Sequence, residues 1–291
     1  MGSNDAVLAA CRAALARPGR VLALTGAGVS AESGIPTFRG KEGYWTVGAR
    51  EYQPQELATY EAFRAMPWEV WAWYLYRRGV CQRAAPNAAH AALVTLAHAL
   101  PDRFALVTQN VDGLHRRAGS PDAQTFTIHG DISQMRCLED CVRSGRGPHE
   151  LRSWGGAVPL GEERWPIPEG VPDVARGAEV PAAARALLRC PRCGALARPH
   201  VLWFDEVYDE ERYRLETVRR LAMQATLLVV VGTSAQTNLP WQVVRLAERN
   251  AATIVDVNVE DNPFGDIARD SGGVIRETAA SAVPAIVEAL I

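Results

Sequence analysis

The chain has 291 residues, 48% of them apolar, and its 31 basic and 33 acidic side chains give a formal charge of −2. That length and composition exclude a disordered chain and suit a large core, or one large domain with a small one. The near-neutral balance leaves no electrostatic footprint for nucleic acid or an anionic membrane, and no apolar run approaches the ~20 residues of a membrane span.

Near the N-terminus, Asn4 or Asp5 can cap a helix whose stripe is Val7, Leu8, Cys11 and Leu15, ended by Pro18 and Gly19. The stretch lacks the basic start and long apolar core of a signal peptide, so a cytoplasmic location is expected. A short apolar strand over residues 21–24 then runs into TGAGVSAESGIPTFRG, residues 25–40. Gly26, Gly28 and Ala31 form a G-x-G-x-x-A spacing. The glycines permit a tight turn and close backbone approach to a pyrophosphate. A helix is expected to open behind them, its N-terminal N–H groups facing the phosphates. By spacing alone, the stretch equally fits a strand–loop–helix turn with no ligand. Gly34 and Pro36 stop that helix early, and Phe38, Arg39 and Gly40 then form a loop able to fold over a nucleotide.

Residues 41–86 interrupt the α/β rhythm. Helices are predicted over 51–59 and 67–78. Four of the eight tryptophans fall here, Trp45, Trp68, Trp71 and Trp73, which suits a small helical module packed by aromatic rings, with or without a pocket wall. A helix over 90–100 leads to a strand over 104–108. Gln109, Asn110 and Asp112 lie just past its end, where open parallel sheets hold ligand groups. A second strand, 125–128, delivers His129 to the same edge, before Gly130. A histidine there, beside Asn110 and Asp112, reads as catalytic.

Residues 133–199 carry Cys137, Cys141, Cys190 and Cys193 in two close pairs, among many Gly and Pro and with little periodicity. In a reducing cytosol such pairs favour metal over disulfide. The segment reads as a metal-stapled lobe too irregular to be held by core burial. Cys11 and Cys81 read as inert helix residues. Regular α/β structure is expected to resume at Val201. The apolar run 226–231 reads as a strand buried on both faces, followed by Gly232, Thr233 and Ser234. An amphipathic helix over 239–249, a strand over 253–257 ending in Asn258, Val259 and Glu260, and a short last helix opened by Pro284 complete the chain.

GAGVSAESGIPTFRG resembles the signature of the sirtuins, the NAD-dependent protein-lysine deacylases. TQNVDGLH from Thr108, the His129-Gly130 pair and VVGTS ending at Ser234 repeat the resemblance in family order over most of the chain. It implies an α/β fold: a Rossmann-like parallel-sheet domain of residues 1–40, 87–132 and 201–291, with a smaller lobe. That lobe comprises a helical module, 41–86, and a zinc-binding module, 133–200, so that 1–291 is one catalytic unit. It also implies that NAD is a consumed co-substrate. The acyl oxygen of an acyl-lysine attacks the ribose carbon carrying nicotinamide, nicotinamide leaves, and the acyl group ends on ADP-ribose.

By the resemblance, Gly26, Ala27, Gly28, Ser30, Ala31, Pro36 and Gln109 belong to the NAD site. Asn110 orients the ribose and its water, Asp112 holds the nicotinamide carboxamide, Arg39 meets a phosphate, and Phe38 shields the reactive ribose face. His129 is the general base, its imidazole titrating near the working pH. Gly232, Thr233 and Ser234 hold phosphate or the adenosine ribose, Asn258 and Glu260 contact that ribose, and Ala279 offers backbone to adenine. Cys137, Cys141, Cys190 and Cys193 hold a structural Zn2+. The partners implied are acyl-lysine proteins, with no nucleic acid and no membrane, and the chain is expected to be a monomer.

Residues 44–79 look like the subgroup that removes succinyl and malonyl groups, with some deacetylase activity. Its mark is a Tyr and an Arg three apart, here Tyr74 and Arg77, on one helix face where both could reach a carboxylate. Ala58 matches a small residue that leaves room for the acyl chain, and Leu202 and Phe204 match the peptide-clamping strand. By position alone, Arg77 and Arg78 also suit a helix C-terminus before Gly79. The chain departs from the family pattern in four places. Three residues, not two, separate Cys137 from Cys141, and 48 separate Cys141 from Cys190. Trp203, Phe204, Asp205 and Glu206 stand where Phe-Gly-Glu is usual, and Gln236, Thr237 and Asn238 replace a more apolar run. The last two departures support an alternative, an NAD glycohydrolase or ADP-ribosyltransferase using the same pocket. A nucleotide sensor without turnover is a third reading, against which His129, Asn110 and Asp112 stand.

Overall fold

A computed structural model describes residues 3–37, 45–47, 50–141 and 163–291. The chain divides into a larger unit, Met1–Arg39, Ala84–His129 and Val207–Ile291, and a smaller one, Gly40–Arg83 and Gly130–Glu206. Residues 201–206, read from sequence as the start of the last α/β segment, fall in the smaller unit.

The larger unit is built on strands that alternate between two apolar faces. Val21 and Ala23 of the strand Arg20–Thr25 join one core, and Leu22 and Leu24 join the other, as the two-residue period of a strand requires. Ala225–Val231 is buried along its whole length. Every strand pair in the six-stranded sheet is parallel. Its strands run Thr125–Thr127, Phe104–Thr108, Arg20–Thr25, Ala225–Val231, Thr253–Val257, Gly273–Ile275, so the chain order across the sheet is 3-2-1-4-5-6. That is the arrangement of a doubly wound dinucleotide-binding sheet, and its order reverses between Arg20–Thr25 and Ala225–Val231. Helices Ser3–Leu15, Ala88–Ala99 and Ala279–Leu290 cover one face. Leu215–Met223, Asn238–Arg249 and Pro263–Arg269 cover the other.

Pro284 lies inside the last helix, not at its start. Ala282, Val283, Ile286, Val287 and Leu290 are buried on both sides of it. Their burial outweighs the hydrogen bond that the proline removes, a defect of about 3 kcal/mol.

The smaller unit is more regular than its composition suggests. Gly130–Cys137 pairs antiparallel with Arg164–Pro166 on one side and Ala197–Val201 on the other. Gly130 (φ +92°) is required at that junction, since a Cβ there would lie 2.1 Å from the His200 carbonyl oxygen. The first predicted helix of the helical module is replaced by the strand Arg50–Tyr52 and two short helices, Pro54–Leu57 and Tyr60–Ala65. Pro54 begins a new helix because proline fits a first turn and not a helix interior. Thr59 then caps the next, its hydroxyl accepting from the Ala62 N–H at 3.0 Å. The second predicted helix runs on to Arg83. Trp71, Phe63 and Trp203 form the aromatic core, with Trp71 Nε1 donating to the Ala197 carbonyl at 3.0 Å. No helix among the described residues is long and apolar enough to cross a membrane.

Candidate active site and metal centre

In the larger unit, the strand order reverses where two glycine loops meet. The Gly26 N–H donates to the Val231 carbonyl at 2.9 Å, and the Gly28 N–H to that of Gly232 at 2.8 Å. A Cβ on Gly26 would lie 2.8 Å from the Gly232 oxygen, and one on Gly28 2.6 Å from the Gly232 Cα. The glycines are therefore needed first for this loop-on-loop approach.

The following residues form a 3₁₀ helix, Ala27–Ser33, in place of the expected α-helix. Gly34, at φ +82°, closes it by donating to the Ser30 and Ala31 carbonyls. Ala31 is exposed, so the third position of the glycine spacing does not pack a helix against a strand. Pro36 is exposed just beyond, and Phe38 and Arg39 lie outside the described residues.

The strand-end polar residues converge on this turn. Asn110 Nδ2 donates to Ser30 Oγ at 3.1 Å, and Ser30 Oγ donates to Asp112 Oδ2 at 2.7 Å. The Leu114 N–H holds Asp112 Oδ1 at 2.8 Å. Gln109 Nε2 donates to Thr233 Oγ1 at 2.8 Å, and its Oε1 accepts from Thr237 Oγ1 at 3.1 Å. Asn258 Nδ2 donates to the Thr233 carbonyl at 2.9 Å, tying the third loop to the second. Ser234 is half-buried and Glu260 exposed on the same loops. Ala279 is buried as the first residue of the last helix, where the next N–H, of Ala280, donates to Glu32 at 2.8 Å. A glycine turn where the strand order reverses, with amide and carboxylate groups gathered at several strand ends, fits a dinucleotide.

His129 stands at the end of Thr125–Thr127. Its Nδ1 faces the Gln109 carbonyl at 2.9 Å, and its Nε2 faces the Tyr208 hydroxyl at 2.8 Å. A carbonyl only accepts, so Nδ1 carries the proton and Nε2 presents its lone pair. Burial pushes the imidazole pKa down to about 4, away from the working pH expected from the sequence, and the Tyr208 phenol up to about 12, so both are neutral at pH 7. Sequence reasoning misses Tyr208. The available signal is its place two residues after Glu206, at the end of a stretch that departs from the family pattern.

Cys137, Cys141, Cys190 and Cys193 form the metal centre of the smaller unit. Their sulfurs all lie within 4.8 Å of one another, with Cys137–Cys193 and Cys141–Cys190 at 3.6 Å. A tetrahedral zinc with thiolates at about 2.3 Å sets sulfurs roughly 3.8 Å apart, so the set fits zinc. The additional residue of the first pair is absorbed at Asp140, which takes φ +45° and accepts from Arg136 Nη1 at 2.8 Å. The second pair sits on a tight turn where the Gly194 N–H donates to the Cys190 carbonyl at 2.9 Å. Burial, then the neighbouring Cys137, pushes the Cys141 thiol up to about 12. A bound cation reverses that preference by stabilising thiolate.

The residues read from the sequence as an acyl pocket also fall within the smaller unit. Tyr74 is buried, and its phenol oxygen accepts from Trp203 Nε1 at 2.9 Å. Arg77 lies one turn on, its guanidinium 5.1 Å from the Trp73 ring centroid, and burial pushes the Tyr74 phenol pKa up, so the phenol is neutral. Both sit inside a helix that ends at Arg83, which removes the helix-terminus explanation of the arginines. Arg78 is engaged elsewhere, its Nε donating to Asp173 Oδ1 and its Nη2 to the Val171 carbonyl, both at 2.6 Å. Ala58 is buried, and its carbonyl accepts from the Phe204 N–H at 2.9 Å.

Leu202 and Phe204 are not in a strand, since Ala197–Val201 ends before them. A turn replaces it, with the Glu206 N–H donating to the Trp203 carbonyl at 3.0 Å, and Phe204 is 56% exposed. Asp205 accepts from the N–H groups of Tyr60 at 2.8 Å and Glu61 at 3.2 Å, capping the helix Tyr60–Ala65. Glu206 is clamped by Arg198 and Arg136, which hold its carboxyl below the usual range against the opposing effect of burial.

Residues 26–238 match the Sir2 family. An NAD-dependent protein deacylase of Aquifex aeolicus is 37% identical over 248 residues, 85% of this chain and 87% of its own. A protein of the same description from Pyrococcus furiosus is 35% identical over 274 residues, 94% of each chain. A crystal structure of a Sir2 homologue in complex with NAD has a TM-score of 0.70 at 30% identity, over 95% of this chain and 91% of that one. A mutant Sir2 homologue with 2'-O-acetyl ADP ribose has a TM-score of 0.71, also at 30% identity, over 99% and 96%. The chain belongs to the Sir2 family. Its fold is the Sir2 fold, a Rossmann-like sheet with a small lobe of zinc-site and helical modules.

Proposed function

We propose that the protein is an NAD-dependent protein-lysine deacylase that prefers acidic acyl groups, succinyl and malonyl, over acetyl. The observation that carries the preference is the Tyr74–Arg77 pair, three residues apart inside one helix, a half-buried arginine one turn from a buried phenol. A carboxylate entering such a place is partly desolvated and needs a paired charge, which Arg77 supplies in a bidentate form. Arg78, already bound to Asp173, does not compete for it.

The rest of the reaction follows from the larger unit. Loss of nicotinamide develops positive charge on the ribose, so the site must orient and stabilise more than it must push electrons. Asn110, Ser30 and Asp112 form one hydrogen-bonded chain that can hold the nicotinamide ribose and carboxamide. The acyl oxygen attacks the ribose carbon. His129, whose Nε2 lone pair faces the Tyr208 hydroxyl, then serves as base for the ribose hydroxyl that takes up the acyl group. A water then adds to the acyl carbon as the lysine nitrogen leaves, so the products are nicotinamide, the free lysine and acyl-ADP-ribose. The partner is thus an acyl-lysine protein, met by a monomer in the cytoplasm, where reducing conditions keep the four thiols available as ligands.

The glycohydrolase or ADP-ribosyltransferase reading rests on Asp205 and on residues 236–238. Asp205 is committed to a helix cap, and Thr237 to Gln109, so each has a structural role that does not call for a different reaction. The test is incubation with NAD and peptides carrying acetyl-, malonyl- or succinyl-lysine, with products identified by mass. Acyl-ADP-ribose, formed fastest from the acidic acyl peptides, is the expected result. Free ADP-ribose formed without dependence on peptide overturns the reading.

A further inference from the structure

We propose that Tyr208 is the proton relay of the active site: the substrate hydroxyl passes its proton to the Tyr208 oxygen as the Tyr208 proton moves to His129 Nε2. This rests on the reading of His129 as the base. Both nitrogens of His129 are engaged within the larger unit, Nδ1 by the Gln109 carbonyl and Nε2 by the Tyr208 hydroxyl. A proton therefore reaches the one basic lone pair either after the phenol has left or through the phenol itself.

The surroundings of the phenol favour the second route. Burial disfavours negative charge on its oxygen, and the backbone N–H of Leu239 acts against that. Leu239 is the second residue of the twelve-residue helix Asn238–Arg249, so its N–H is one of the donors that a helix leaves unsatisfied at its positive end. That N–H favours any negative charge that builds on the phenol oxygen as one proton leaves it and the other arrives. Thr237 donates its one hydroxyl proton to Gln109 Oε1, and the carbonyl of the same Gln109 holds His129 Nδ1. The ring of Tyr208 is held edge-on by Tyr213, centroids 6.3 Å apart, and lies 5.9 Å from the imidazole. The hydroxyl is thus presented to Nε2 by packing that does not need the hydroxyl.

The step balances without an oxidant or a further co-reactant. The ribose O–H bond breaks and its proton bonds to the Tyr208 oxygen. The original Tyr208 O–H bond breaks and its proton bonds to Nε2. The ribose oxygen keeps the electron pair for bonding to the acyl carbon, leaving neutral tyrosine and an imidazolium. Thr237 lies in one of the two stretches that depart from the family pattern, and Tyr208 lies two residues past the other.

The test compares Tyr208→Phe, His129→Ala and the unaltered chain, each with NAD and a succinyl-lysine peptide. Two rates are followed: exchange of labelled nicotinamide into NAD, which precedes the base step, and formation of acyl-ADP-ribose, which follows it. Tyr208→Phe keeps the ring packing and removes only the hydroxyl. The expected result is exchange and NAD affinity close to the unaltered chain, with kcat for acyl-ADP-ribose lowered about 10- to 100-fold, the lower part of the range for loss of acid–base catalysis. Full product formation by Tyr208→Phe, with His129→Ala inactive, overturns the relay and leaves the base assignment standing. Exchange and product formation falling together overturn it also, since the hydroxyl then only supports the nucleotide site. Deacylation surviving in His129→Ala, or no acyl-ADP-ribose from the unaltered chain, overturns the base and the relay together.

Discussion

Replacing Arg77 with Met separates a substrate-binding arginine from a structural one, because its neighbour Arg78 supplies the control. Arg77 is half-buried, stacked on Trp73, and close to the Tyr74 phenol. Met keeps much of its length and apolar contact and removes the charge and the guanidinium fork. Losing one partner of a desolvated charge pair costs about 2–5 kcal/mol, and 1.4 kcal/mol is a factor of ten, so kcat/KM for succinyl-lysine should fall by roughly 1.5 to 3.5 orders of magnitude. Acetyl-lysine brings no carboxylate, and its turnover should stay the same or rise. Arg77→Lys keeps the charge without the bidentate geometry and should lie between. Arg78→Met breaks the buried pair with Asp173 and should lower stability by about 3–5 kcal/mol while affecting both acyl groups alike. The assay is steady-state kinetics on matched acetyl and succinyl peptides, with a denaturant midpoint for each variant. Equal loss on both peptides for Arg77→Met, or a preference of the unaltered chain for acetyl-lysine, refutes the acidic pocket.

Zinc should be present at one per chain, and Cys190→Ala should release it and lower the stability of the smaller unit, as seen by metal analysis and limited proteolysis. Asp205→Gly should cost about 0.5–2 kcal/mol, the value of a helix cap, without changing which products form from NAD; a change in product class would return Asp205 to the site. Acid should destabilise the protein through its buried histidines. Burial lowers the pKa of His90, of His115 to about 3 and of His129 to about 4, so each is neutral when folded and protonated when unfolded below its ordinary value. Their contribution is constant above about pH 6.5 and is lost as pH falls toward the folded values. His115 alone should lose on the order of 2 kcal/mol between about pH 6.5 and about pH 5. Urea midpoints that do not move over that interval would mean that these rings are solvated.

The parts legible in the sequence are those governed by local rules. Phe104–Thr108 and Thr253–Val257 have the boundaries read from their apolar runs, since a strand buried on both faces leaves a continuous pattern. The four cysteines converge as their spacing suggests, because metal ligation demands close pairs. Where long-range contacts decide, the sequence says less. The glycine turn is followed by a 3₁₀ helix because Gly28 is wedged against Gly232, more than two hundred residues away in sequence, and Gly34 ends the segment after seven residues. The zinc-bearing segment looks irregular because its sheet pairs Gly130–Cys137 with Ala197–Val201, across an interval that hides any periodicity.

The same distinction explains why the departures from the family pattern look, in sequence, like changes of substrate. A carboxylate at 205 in place of glycine reads as an added charge and a stiffer backbone. In the folded unit it meets two N–H groups that the helix Tyr60–Ala65 leaves unpaired, and its charge is spent on them. Polar residues at 236–238 read as a changed docking surface. In the folded unit Thr237 flanks the helix Asn238–Arg249 and bonds to Gln109, the residue whose carbonyl fixes the His129 tautomer. One departure thus serves stability and the other leads to the base. Neither role can be read from composition, because each depends on a partner supplied by folding: a helix terminus from residues 60–61, and an imidazole from residue 129. Tyr208 is the sharpest case, a residue unremarkable in sequence whose hydroxyl meets the lone pair on which the proposed chemistry turns.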